Sequence, residues 1–126
     1  MAIKSINLAW IVVKDLKSAL KFYTESVGLK LIELHEHYGW AELSGTENGT
    51  RLGIVQQSDR EPIKPGQNAI VTLTVENLTD AIAELSKKGV KMQGEVLEIP
   101  GIVKLQMIVD ADNNHFQLVE CLSPQF

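Results

Sequence analysis

The chain has 126 residues, enough for one domain that buries a real core without disulfide or metal support. Its formal charge of −4 is mild and its Lys and Arg are scattered, which excludes the basic footprint of a nucleic-acid binder and a polybasic membrane patch. The single cysteine, Cys121, excludes an internal disulfide and fits a reducing cytoplasm. Its place in the last apolar strand fits burial better than nucleophilic chemistry.

In chain order, the opening "MAIKSINLAWIVVKDL" imitates a signal peptide, because Lys4 precedes the apolar run Leu8 to Val13. The run is short, no small-residue cleavage site follows, and Lys14 and Asp15 break it, so it is expected to be a strand. No segment reaches the length needed to span a bilayer. The expected compartment is cytoplasmic.

From Leu8, "LAWIVVKDLKSALKFYTESVGLKL" predicts strand, cap, helix, stop, strand. Asp15 is the N-cap, Leu16, Ala19, Leu20, Tyr23 and Val27 form an apolar stripe at helical spacing, and Gly28 ends the helix. Strands are expected at Lys30 to Tyr38, Gly39 to Leu43 and Thr50 to Gln56, with Asn48-Gly49 as a hairpin turn. The polar "QQSDREPIKPGQN" then reads as a linker.

From Ile70, "IVTLTVENLTDAIAELSKKGVKM" repeats the plan. Asn77 replaces Asp15, the stripe becomes Leu78, Ala81, Ile82 and Leu85, and Gly89 replaces Gly28. Strands are expected at Val90 to Ile99, Ile102 to Val109 and His115 to Cys121, with Pro100-Gly101 and "DADNN" as turns. The expected fold is α+β: one domain of two tandem βαβββ modules, about 5–56 and 69–121 around a linker at 57–68. Together they are expected to form a curved, barrel-like mixed sheet with a concave pocket.

Alternation assigns the strand faces. Ala9, Ile11, Val13, Leu52 and Ile54 should pack under the first helix, and Val71, Leu73, Val75, Phe116 and Leu118 under the second. The opposite faces then carry Leu8, Trp10, Val12, Arg51, Gly53 and Val55 in the first module. In the second they carry Ile70, Thr72, Thr74, His115, Gln117 and Val119. That mixture suits a small-ligand surface and equally a solvated sheet face.

"VVKDLKSALKFYTESVGLKL", the duplicated plan and the closing "VDADNNHFQLVE" resemble the vicinal oxygen chelate superfamily. That superfamily includes glyoxalase I, bleomycin-resistance proteins, fosfomycin-resistance enzymes and extradiol dioxygenases. The resemblance runs from Leu8 to Glu120. It implies metal ligands on the first and last strand of each module, and those positions align here with Leu8, Gly53, Ile70 and Gln117. Three of these side chains offer no lone pair, and one Gln amide does not hold a divalent cation, so no cofactor is expected. The resemblance also implies a homodimer.

Trp10 and Trp40 are candidates to stack on a ligand, or to fill core. Glu42 lies beside Trp40. Arg51 is a candidate clamp for a ligand carboxylate or phosphate, or a partner for Glu42. Thr72, His115 and Gln117 complete the candidate ligand set, with His115 a possible general base. His35 and His37, one residue apart, invite a metal reading with Glu42 or His115, or are a polar strand edge. "DADNN" opens like a calcium loop, but His115 and Cys121 stand where that loop needs Gly and Glu, so a turn is expected.

The sequence therefore supports a metal-free binder of a small organic molecule, an antibiotic or other aromatic compound, with no nucleic-acid or membrane partner. The alternative is a glyoxalase-like metalloenzyme, a lactoylglutathione lyase or related lyase, isomerase or dioxygenase, with a displaced metal set drawn from His35, His37, Glu42, His115 and Gln117. A third reading is a structural or regulatory dimer with no ligand.

Overall fold

The computed structural model describes residues 4, 6–47, 49–59, 63–67 and 70–123. Asn48 of the expected hairpin turn, parts of the expected linker, and the ends of both expected module ranges, Ser5 and Ala69, lie outside them. The chain divides into two compact units, Met1–Asn68 and Ala69–Phe126.

In the first unit, strand β1 (Leu8–Val13) leads to Asp15, whose carboxylate accepts from the Ser18 backbone N–H at 3.0 Å and the Ser18 hydroxyl at 2.6 Å. This N-cap starts helix α1 (Leu16–Lys21). The expected helix continues beyond it as a π-helical turn, Phe22–Ser26, with Val27 N–H donating to Phe22 O at 3.0 Å. Leu16, Ala19 and Tyr23 are buried. Gly28, at φ +91°, then reverses the chain.

Strands β2 (Lys30–His35), β3 (Trp40–Ser44) and β4 (Arg51–Gln56) complete the unit. The sheet order is β1-β4-β3-β2, with β1 and β4 parallel and the other neighbours antiparallel. The sheet is mixed and not closed, since β1 and β2 are its edges. The expected strand to Tyr38 stops at His35. Glu36–Tyr38 form a 3₁₀ turn closed by Gly39 N–H to Glu36 O at 3.0 Å, and Gly39 sits at φ +64° rather than in a strand. That left-handed conformation, open to glycine, reverses the chain here.

The second unit repeats the plan. Strand β5 (Val71–Thr74) precedes the cap Asn77, whose side chain accepts from Asp80 N–H at 2.9 Å, and helix α2 (Leu78–Lys87). Strands β6 (Lys91–Ile99), β7 (Val103–Val109) and β8 (His115–Cys121) follow, in the sheet order β5-β8-β7-β6. Ile70 and Val75, expected within the first strand of this module, flank β5 instead. Between β7 and β8 the Asp110 carboxylate accepts the backbone N–H groups of Asp112 (2.9 Å) and Asn114 (2.8 Å) and the Asn114 amide (3.1 Å). The "DADNN" segment is thus a side-chain-stapled turn, with Asn113 at φ +67°.

Burial follows the expected alternation only in part. Ile11, Val13, Leu52 and Ile54 are buried in the first unit, and Phe116, Leu118 and Ile108 in the second. Val12 and Val119, expected on the opposite faces, are also buried, while Ala9, Val71, Leu73 and Val75, expected under the helices, are half-buried. Each sheet also holds its own helix directly. Gln56 Oε1 accepts Leu16 N–H at 2.9 Å, and Glu120 Oε1 accepts Leu78 N–H at 2.7 Å, so the last strand of each module satisfies a donor that a helix start leaves open. Among the described residues, no helix is long and apolar enough to cross a membrane.

Candidate functional site

The face of each sheet turned from its helix carries the candidate residues. In the first unit, register sets them in cross-strand rows. Trp10 stands beside Gly53, Gly53 beside Glu42, and Glu42 beside Glu33. One row on, Val12, Val55, Trp40 and His35 are neighbours in the same way.

Glu33 reaches this face through a bulge. Leu31 pairs with Leu43, but Glu33 pairs with Glu42, so Ile32 is an extra residue in β2. A one-residue shift moves every following side chain to the other face of the sheet. Sequence alternation assigns Glu33 no site role. The bulge is what brings it in.

The polar side chains of this face form one chain of contacts. Trp40 Nε1–H donates to Glu42 Oε2 at 3.1 Å, and Arg51 Nη1 donates to Glu42 Oε1 at 3.0 Å and to Glu33 Oε2 at 2.7 Å. His35 Nε2 meets Glu33 Oε1 at 3.2 Å. The hydrogen bond from His35, and then the one from Arg51, hold the Glu33 carboxyl below the ordinary carboxylate range. Glu42 and Glu33 in turn raise the Arg51 pKa, so the guanidinium stays charged. Of the two readings of Arg51, the geometry realises the pairing with Glu42.

Trp40 also reaches across its strand to Gly53. A Cβ on residue 53 would fall against Trp40 Cη2, 2.7 Å from Cζ2 and 2.8 Å from Leu8 Cδ1. Real Cβ atoms do not tolerate such distances, so the far edge of the indole occupies the volume that any other residue at 53 would need.

On the open face of the second sheet, Thr72 and Gln117 are neighbours in register and their side chains meet at 3.5 Å, with the Thr72 hydroxyl donating to Oε1. Gln117 in turn faces Met107. His115 Nδ1 lies 3.1 Å from Asn113 O, the distance of a hydrogen bond to that carbonyl. Thr72 is exposed and His115 and Gln117 are half-buried. Cys121 is half-buried as well.

The metal readings can be tested on these side chains. Leu8 and Gly53, which align with ligand positions in the first module, offer no donor atom, the space of a Gly53 side chain being taken by the Trp40 ring, and Ile70 and Gln117 supply one amide oxygen between them. That donor set does not fit a divalent cation. His37 leaves the strand for the 3₁₀ turn and stacks edge-on with Tyr38, ring centroids 5.2 Å apart, so it does not share a strand face with His35. Among the described residues no three His, Cys, Asp or Glu side chains converge to hold a metal.

Depressions of the first unit border this face, one of them, of about 450 Å³, reaching Val55 from the 3₁₀ turn; two others lie near it. One of about 250 Å³ adjoins Arg51 and is lined by Lys30, Ile32, Ser44, Thr46 and Glu47 as well. Another, of about 280 Å³, lies between α1 and the 3₁₀ turn, against Leu16, Leu20 and Leu34. Neither contains a tryptophan.

Paired βαβββ modules, each with one mixed sheet whose free face carries the polar and aromatic side chains, define a class of protein built by duplication. The chain belongs to the Glyoxalase/Bleomycin resistance protein/Dioxygenase superfamily, whose family model matches residues 3–118. Among solved structures it is similar to TnmS3, an antibiotic binding protein from Streptomyces sp. CB03234. The two share 27% identity over 96% of this chain and 98% of that one, with a TM-score of 0.79. A glyoxalase/bleomycin resistance protein from the same Streptomyces is 26% identical over 90% of this chain and 98% of that one, with a TM-score of 0.75. A superfamily member from Sphaerobacter thermophilus DSM 20745 shares the fold at a TM-score of 0.80 and 22% identity, over 94% of this chain and 98% of that one. No curated protein matches the chain.

Proposed function

We propose that this protein binds and sequesters a small aromatic molecule, without a metal and without turning it over. The observation that carries the reading is the exchange at Gly53. Where the superfamily resemblance places a metal ligand, this chain has no side chain at all, and the Trp40 indole takes the space. A tryptophan on an open sheet face offers area and a π-surface for a flat ligand. The similarity to an antibiotic binding protein supports an antibiotic as the kind of ligand. Trp10, Trp40 and Glu42 form the first-module contact set, and Thr72, His115 and Gln117 the second. The protein is a cytoplasmic homodimer in this reading, as the lone cysteine and the family resemblance imply.

The test combines metal analysis of untagged protein with a thermal-shift screen of aromatic, cationic and thiol-conjugate compounds in EDTA. A stabilising aromatic compound whose effect survives EDTA supports the reading, since a ligand at a hundred times its Kd adds about 2.7 kcal/mol. Stoichiometric bound metal that disappears in His35→Ala or His37→Ala would overturn it in favour of a metalloenzyme. No stabiliser anywhere in the screen would favour a ligand-free structural role.

A further inference from the structure

We infer that Arg51 and Glu33 are positioning residues that hold Trp40 in one orientation through Glu42, while Gly53 leaves room for the ring. The use of Trp40 as a stacking surface rests on the binding reading above. The brace itself is a property of the free protein.

Glu33 and Glu42 are direct cross-strand partners on one face of the sheet. Like charges so placed repel, and each would turn away from the other. Arg51 removes that repulsion, because its Nη1 donates to both carboxylates, at 2.7 and 3.0 Å. The side chain of Glu42 is 18% exposed against 43% for Glu33 and 41% for Arg51, so Glu42 is the shielded member of the trio. Held from one side by Arg51, Glu42 keeps its second oxygen on the indole N–H at 3.1 Å.

The other end of the indole is fixed independently. Its six-membered ring lies in the space left by the missing Cβ of Gly53, beside Leu8. A side chain tied at its N–H and wedged at its far edge has both torsions set before any ligand arrives. Binding to such a surface does not incur the cost of ordering that side chain.

The same geometry changes the role of Arg51. Its Nη1 is committed to two carboxylates, and the trio of Arg51, Glu33 and Glu42 carries one net negative charge. In this arrangement Arg51 acts first as a brace for the two carboxylates. A planar ligand that is neutral or positively charged suits this surface, and an anionic one is repelled.

The experiment uses the full chain with Trp10→Phe, which leaves Trp40 as the one indole, since the sequence has 2 tryptophans. The readouts are acrylamide quenching of Trp40 fluorescence and hydrogen exchange at its Nε1–H, each read beside the thermal midpoint. Arg51→Ala is expected to increase quenching and speed exchange. Glu42→Leu is expected to do the same, whereas Glu42→Gln, which keeps an acceptor oxygen, restores protection. Gly53→Ala displaces the ring and shifts its emission. If Arg51→Ala does not fold, Arg51→Lys, which retains the charge but not the planar fork, gives an intermediate loss of protection. Unchanged quenching and exchange in folded Arg51→Ala and Glu42→Leu would overturn the inference. Because no ligand is used, failure of the compound screen leaves this result standing, and failure here leaves the screen standing.

Discussion

Gln56 and Glu120 make the same hydrogen bond in the two modules, each passing a side-chain oxygen from the last strand to the first backbone N–H of that module's helix. Asp15 and Asn77 cap the same helices three residues on, at Ser18 and Asp80. Each helix start is thus held by a local cap and by a strand far away in sequence. Duplication has preserved both.

Removing the long-range bond should be felt in each module separately. Gln56→Ala and Glu120→Ala are each expected to lower stability by roughly 0.5–1.5 kcal/mol, the usual net value of one such bond. Glu120→Gln keeps the acceptor and should recover most of the loss. The two alanine changes share no partner, so the double variant should lose about their sum, read from urea denaturation midpoints.

Gly53→Ala is an overpacking change, because the new Cβ meets the Trp40 ring below 3 Å. It should cost about 1–3 kcal/mol. Gly45→Ala is the control, since nothing lies within 4 Å of a Cβ there, and it should fall within about 0.5 kcal/mol of the parent. Equal thermal midpoints for the two variants would refute the tight fit at residue 53.

Trp40→Ala should weaken an aromatic ligand about tenfold or more while leaving the protein folded, because stacking area and the preset ring are lost together. Thr72→Val and Gln117→Leu, in the second module, test whether the other open face takes part. Isothermal titration in buffer with and without EDTA should give one affinity for the parent. A ligand whose binding is abolished by EDTA contradicts the metal-free reading.

Glu33 adds a small acid-sensitive contribution to the first module. Its carboxyl is held below its ordinary value near 4.5 by His35 first and Arg51 second. A group with a depressed folded-state pKa stabilises the fold fully above its unfolded value and loses that effect as pH falls through the folded one. The contribution is therefore complete at neutral pH and declines below about pH 4.5. Asp15, lowered mainly by the Ser18 hydroxyl, acts in the same direction. Urea midpoints from pH 6 to pH 3 should fall less steeply in Glu33→Gln than in the parent. The difference should be small, because the Glu33 side chain is well exposed and water screens it.

Much of this fold is readable without coordinates because it is encoded locally. Asp15 and Asn77 announce their helices, Gly28 and Gly89 their ends, and the repeat of strand, cap and stripe announces the duplication. Strand ends were less readable. Glu36, His37 and Tyr38 look like a continuing strand, and only Gly39 in a left-handed conformation makes them a turn. Gln106 carried no signal at all. In the structure its buried amide donates to Gln93 O and Gly94 O, filling the irregular pairing of β6 and β7.

By itself the sequence determined the two modules and their helix caps, because each depends on spacing within one segment. Only the tertiary structure decided which strand residues meet. The bulge at Ile32 turns Glu33 onto the face of Glu42, Arg51 joins them from a third strand, and Trp40 settles where Gly53 has no Cβ. These contacts depend on register between strands. Register is set by pairing across the sheet, and a shift of one residue, invisible in the composition of either strand, exchanges its faces.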